Sequence, residues 1–256
     1  MTEVTKPGAD DPMAQMDTSV DKDNTVVDII DEEKWNKLTA NYDSAYSDMT
    51  MNRSSQNIEG LAEFASSIKQ LSEEKFNQIG PEKTQNEIVI ASLKDQLSTN
   101  LKREDSGKWI SAIKLMSLIK NLSHEDVYQL TDSDWSQLNE IAEASKQKEQ
   151  PYDFLQLAMS LKSLDPEQFN RLNLSEEIWV KLLDNIKQGF QKQSSNNWFL
   201  GQSWLLKAAK TLFPDRSAEI PEDIEFSNGM KNYLKTSKPD ASYAVYAVNA
   251  KIINGK

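Results

Sequence analysis

Few side chains in this sequence stand where they could do chemistry, and each has a plainer role open to it. Lys69, Lys120, Lys162 and Lys210 recur at similar intervals and could form a cationic ladder that grips an acidic peptide. Each also falls where a helix is expected to end, and there a cation complements the negative pole of the helix dipole. That second role explains the spacing without any partner, so it is the one expected. His124 is the single histidine. A metal site or a general base would need carboxylates or a nucleophile converging on it, whereas Glu125 and Asp126 face different ways on a helix, so an exposed imidazole is expected. The carboxylate runs Asp31-Glu32-Glu33 and Glu73-Glu74 suit the first turns of helices better than acid–base pairs. With no cysteine, thiolate chemistry is excluded, and the eight glycines do not cluster into a phosphate-cradling loop. No catalytic residue, metal ligand or cofactor is assigned.

Binding candidates gather further along the chain. Trp198, Phe199, Trp204 and Phe213 lie near Lys207 and Lys210, with Gly201 among them. Aromatics beside cations are frequent anchors of protein interfaces, while large aromatics at helical spacing also fill cores. Trp198, Phe199, Trp204, Lys207 and Lys210 are therefore named as the partner-binding residues, and burial of the three aromatics would move that interface elsewhere.

The elements that must position these residues are helices. Apolar residues recur at three-and-four spacing, as in Phe154, Leu155, Ala158, Leu161 and Leu164, which form one face of a helix starting near Pro151-Tyr152-Asp153. One segment repeats: Lys69–Ile79, Lys120–Leu130 and Lys162–Leu172 align, with weaker copies at Asp28–Leu38 and Lys210–Ile220. In each, Leu71, Leu122 or Leu164 closes a helix face, and Ser72, Ser123 or Asp165 is placed to cap the next helix. Phe76, Val127 or Phe169 then starts the buried pair of a short helix. Second capping signals at Thr131–Trp135 and Ser175–Trp179 open another helix. The unit predicted is two long helices plus one short one, 41–51 residues in length. Even the region from Ser242 to Val248, rich in Tyr, Val and Ala, reads as a terminal helix after Pro239.

This pattern resembles the armadillo and HEAT helical-repeat proteins in architecture over residues 28 to about 226, at repeat lengths near theirs. The resemblance implies an all-α chain of stacked repeats, either a short α-solenoid or a compact helical bundle. In the armadillo family an asparagine ladder binds extended peptides. Asn36, Asn77 and Asn170 form a similar series here, but Tyr128 and Ala218 interrupt it on a different helix, and exposed polar positions are expected.

Charge completes the reading. The 256 residues carry a net charge of -11, with residues 1–34 at -7 and residues 187–256 at +4. Acidity over most of the surface repels phosphate backbones, which argues against a nucleic-acid partner. Residues 1–24, polar and acidic, are expected to be a disordered tail, and residues 25–256 the helical-repeat domain. No apolar run approaches the length that spans a bilayer, no secretory signal is read, and a cytoplasmic protein is expected. Stacked repeats present surfaces suited to extended or helical ligands, so the expected function is a non-enzymatic scaffold or adaptor that binds a protein partner. The alternatives are an RNA-binding repeat protein using the basic C-terminal quarter and an enzyme with a dispersed site. The oligomeric state leaves no signal in the sequence.

Overall fold

The computed structural model describes residues 30–80, 83, 87–102, 107–147, 152–191 and 198–254. Among these the chain is all-α, with no strand. Helices α1 (Glu32–Met51) and α2 (Ser55–Leu71) are followed by the short α3 (Glu73–Ile79). The pairs α4 (Glu87–Leu101) with α5 (Gly107–Ser123) and α6 (Asp132–Lys146) with α7 (Tyr152–Leu164) come next, and a 3-10 turn, η1 (Gln168–Arg171), follows α7. Helices α8 (Glu176–Gln191) and α9 (Trp198–Leu212), the 3-10 turn η2 (Pro214–Glu219), then α10 (Ile224–Thr236) and α11 (Ala241–Ile253) complete the chain. The acidic-tail reading of residues 1–24 lies outside the described residues.

Helix starts follow side-chain chemistry. Asp31 accepts the Lys34 amide at 2.9 Å and Asp240 that of Tyr243 at 2.9 Å, each satisfying a donor that the first turn leaves without a partner. Thr131 and Asp134 form a reciprocal capping box on α6. Each long hairpin then places one helix outside and one inside. Helices α2, α5, α7, α9 and α11 are the inner set: α2 packs on α5, α5 on α7, α7 on α9, α9 on α11, and α11 back on α2. Helices α1, α4, α6, α8 and α10 cover them, each packed on the inner helix that follows it. The five hairpins thus close into a ring whose inner helices run parallel.

A single device repeats at every joint of that ring. The last-turn lysine of each inner helix donates to a C-terminal carbonyl of the next inner helix. Lys69 reaches the Asn121 carbonyl at 2.7 Å, Lys120 that of Leu164 at 2.9 Å and Lys162 that of Thr211 at 2.5 Å, and Lys210 bonds the carbonyl of Ile253. Lys251 closes the circle on Gln70 and Leu71 at 2.8 and 3.2 Å. These carbonyls have no acceptor role left within their own helices, and the ammonium sits at the negative pole of the dipole. Each charge-assisted bond contributes roughly 1.5–3 kcal/mol. The expected lysine role is thus correct in kind, with the carbonyl supplied by the neighbouring helix. Lys251-Ile-Ile-Asn254, not recognised as a repeat in the sequence, is the fifth copy.

Connectors fold back on the outer helices by a second repeated contact. Lys75 pairs with Glu32 at 2.8 Å, Arg171 with Asp132 at 3.0 Å, and Arg216 with Glu176. Arg171 and Arg216 also lie over the rings of Trp135 and Trp179, 4.9 and 4.7 Å from their centroids. Those tryptophans are buried at the fourth position of α6 and α8, as Trp35 is in α1.

Three expectations need correction. The copy read at Asp28–Leu38 is not a connector, because from Glu32 it is the beginning of the twenty-residue helix α1. The short helix is not uniform: it is α-helical in α3, 3-10 in η1 and η2, and absent from residues 124–130. There the Ser123 hydroxyl bonds the Ile119 carbonyl at 2.8 Å inside α5 and His124 takes a left-handed φ of 60°, ending the helix as a C-terminal cap does. Val127 is accordingly half-buried, whereas Phe76, Phe169, Leu71, Leu122 and Leu164 are buried as expected.

Candidate functional site

Counting back from the five joint lysines puts the inner helices in a common register. Six residues before them stand Glu63, Lys114, Gln156, Trp204 and Val245; three before them stand Ser66, Ser117, Met159, Lys207 and Val248. The outer helices cover one side of each inner helix and neighbouring inner helices flank it, so only the side toward the ring axis is left. All five residues of the six-back level are half-buried.

Contacts between neighbours obey the same register. Lys114 on α5 is 3.5 Å from Glu59 of α2 and also pairs with Glu63. Two helices further round, the Trp204 ring of α9 lies 5.7 Å from the Tyr152 ring of α7. Glu59 and Tyr152 both stand ten residues before their joint lysine, so an ion pair and an aromatic pair occupy equivalent places. One of these places is charged, two carboxylates against one ammonium, and the other is aromatic. Burial pulls the Lys114 ammonium down, but its bonds to Glu63 and Glu59 outweigh that and hold it above its ordinary value.

One turn deeper, Ser66 receives the Asn121 side-chain amide and that of Gln70, while Lys207 holds the equivalent place on α9. Lys207 is half-buried as a residue, and no hydrogen bond or ion pair joins it to any described residue. Burial alone draws its ammonium down to about 8. Its neighbours in register are the apolar Val248 and Met159, and Trp204 stands one turn above it on the same helix.

The residues named from sequence divide accordingly. Trp204 and Lys207 share the axial stripe. Lys210 does not belong with them, because it is committed to the Ile253 carbonyl at a joint. Trp198 and Phe199 begin α9, and their side chains lie outside the described residues. Phe213 packs 5.1 Å from Trp179 in the core. Tyr152, Gln156 and the Glu59–Glu63–Lys114 group were missed by the sequence reading, although the register of the repeated lysine would have found them. His124 is exposed, with Nε2 3.0 Å from the Lys69 ammonium. Asn36, Asn77 and Asn170 are exposed on α1, α3 and η1 and form no ladder.

Elsewhere, part of the cationic surface is occupied. A groove of about 830 Å³ follows the seam between α1 and the α10–α11 turn, but Lys34 there donates to the carbonyls of Leu234 and Lys235, and Lys37 pairs with Glu33. Among the described residues no helix is long and apolar enough to cross a membrane.

The fold defines a class: among the described residues, an all-α closed ring of helical hairpins. No family model matches the chain, and neither a curated protein nor a solved structure matches it.

Proposed function

We propose that the protein is a non-enzymatic interaction module, built from armadillo- or HEAT-like hairpins, that receives a protein partner on the aromatic side of the axial mouth. The observation that carries this reading is the Tyr152–Trp204 pair. Tyr152 is 40% exposed although its ring rests against Trp204, and exposed aromatic side chains are enriched among binding hot spots. Ring closure also narrows the choice of surface, since a closed ring has no continuous concave groove of the kind an open solenoid offers. Of the cations that the RNA-binding alternative would use, Lys210, Lys251 and Arg216 are spent on internal bonds, while Lys187, Lys231, Lys235 and Lys238 are exposed.

The test compares proteins captured from cells by the wild-type chain, by the double variant Tyr152→Ala/Trp204→Ala, and by Lys37→Ala in the seam groove. A partner retained by wild type and Lys37→Ala but lost from the double variant is expected. Identical captures from all three would refute the mouth as the docking surface.

A further inference from the structure

The ring closes between α1 and the α10–α11 turn, and the groove of about 830 Å³ along that seam carries a charge opposite to that of the chain as a whole. Four lysines line it, Lys34, Lys37, Lys235 and Lys238, against Asp31 and Glu33, whereas the chain is at -11. Two smaller grooves, of about 560 and 490 Å³, hold as many acidic as basic residues. Internal bonds hold the walls of the seam groove together. Lys34 donates to the Leu234 and Lys235 carbonyls at one end, and Asn41 donates to the Pro239 carbonyl at the other, while the Lys235 and Lys238 side chains stand exposed.

The chain enters the described structure at this same groove. Its backbone bends at Ile30, whose side chain is buried, and Asp31 lines the groove at the start of α1. Residues 1–29, which lie outside the described residues, carry seven carboxylates and two lysines.

We propose that the seam groove is the docking site of the chain's own acidic N-terminal segment, with Asp28 paired to Lys235 and Asp23 to Lys238. Length agrees with that register. From Asp31 to Asn41 the α1 wall runs roughly 15 Å at about 1.5 Å per residue, which an extended chain covers in about five residues. A segment turning back at Ile30 brings Asp28 to the Lys34 end, where Lys235 stands, and Thr25 to the Asn41 end, from which Asp23 reaches Lys238. Val26 and Val27 supply apolar side chains to lie against Ala40. Exposed ion pairs are individually weak, but a tethered segment meets its site at an effective concentration on the order of millimolar, so each pair need contribute little. The same tether favours this occupant over an acidic segment of another protein. The proposal goes beyond partner docking at Tyr152 and Trp204 and concerns a different face, so either can fail while the other stands.

Backbone amide order parameters of residues 21–29, measured by NMR on the full chain, test it. In about 0.01 M salt, where charges act over about 30 Å, values near about 0.85 are expected, against less than about 0.6 for an undocked segment. They should fall to the undocked range in about 1 M salt, where the screening length is about 3 Å. Lys235→Glu/Lys238→Glu should release the segment at low salt while leaving the circular dichroism spectrum unchanged, since both side chains are exposed. Adding Asp23→Lys/Asp28→Lys to that variant should restore the ordering, a rescue that a merely structural role for the lysines would not give. Values below about 0.6 in the wild type at low salt, ordering that survives Lys235→Glu/Lys238→Glu, or a charge swap that fails to restore it would each overturn the proposal. An undocked wild-type segment combined with shifts of the Lys235 and Lys238 amides on adding polyglutamate overturns it as well, and gives the groove to an acidic partner.

Discussion

Replacing Lys207 by methionine should make the protein more stable, not less. The side chain keeps nearly the same length and apolar stem, and only the ammonium is removed. In the folded chain that ammonium titrates near 8 against an ordinary 10.5, a difference worth about 3 kcal/mol at 1.36 kcal/mol per pH unit. The unfolded chain binds the proton more tightly, so the cost to the wild type is fully present below pH 8 and disappears as the pH rises toward and past 10.5. Urea denaturation at pH 7 should show Lys207→Met more stable by about 2–3 kcal/mol, or by roughly 4–12 °C in Tm for a domain of this size. At pH 10 the advantage should shrink to about 1 kcal/mol. A variant less stable than wild type at pH 7 would refute the reasoning, because it would mean that the ammonium has a stabilising partner. An advantage independent of pH would refute it too.

Two further outcomes test the architecture. Lys251→Met should destabilise by about 1.5–3 kcal/mol and raise hydrogen exchange in the last turns of both α2 and α11, since Lys251 bonds the Gln70 and Leu71 carbonyls across the seam; in an open solenoid the same change would alter nothing, and a cost below about 0.5 kcal/mol would sink the closed ring. Gly189→Ala should cost about 1–3 kcal/mol in thermal denaturation, because a methyl group there would meet the Gln202 side chain at 1.9 Å and displace its amide from the Ile186 carbonyl, which it bonds at 2.7 Å; unchanged stability would show that α8 and α9 can part without loss.

How much was legible in the chain itself can be judged residue by residue. Local chemistry is written in local sequence: Asp31, Thr131 and Asp240 cap helices because their oxygens need no partner beyond the next turn, and Phe154, Ala158 and Leu161 fall on one face whatever surrounds the helix. The recurrence of Lys-x-Leu is likewise enough to reveal a repeat, since it needs only the order of residues along the chain. The connectors were less legible. Ser123 and Ser72 occupy the same place in the motif, yet Ser72 accepts the Lys75 amide at 3.2 Å and caps α3 while Ser123 turns back onto its own helix. Two hydrogen bonds of similar strength competed, and packing around the connector chose between them.

The candidate site depended still more on tertiary structure. Sequence placed Trp204, Lys207 and Lys210 together because they are near in the chain, and the ring set Lys210 apart by committing it to the Ile253 carbonyl of the neighbouring helix. Tyr152 and Trp204 meet only because α7 and α9 are adjacent round the axis, and among the described residues no ion pair reaches Lys207, whose level holds Ser66, Ser117, Met159 and Val248. The sequence by itself determined the helices, their caps and the lysine at each joint, since all three rest on interactions within a few residues. Closure of the ring was decided by contacts 180 residues apart between Lys251 and Leu71, which no local pattern encodes. With closure every inner helix gained two inner neighbours, and which side chains meet is set by those neighbours and not by nearness in the chain.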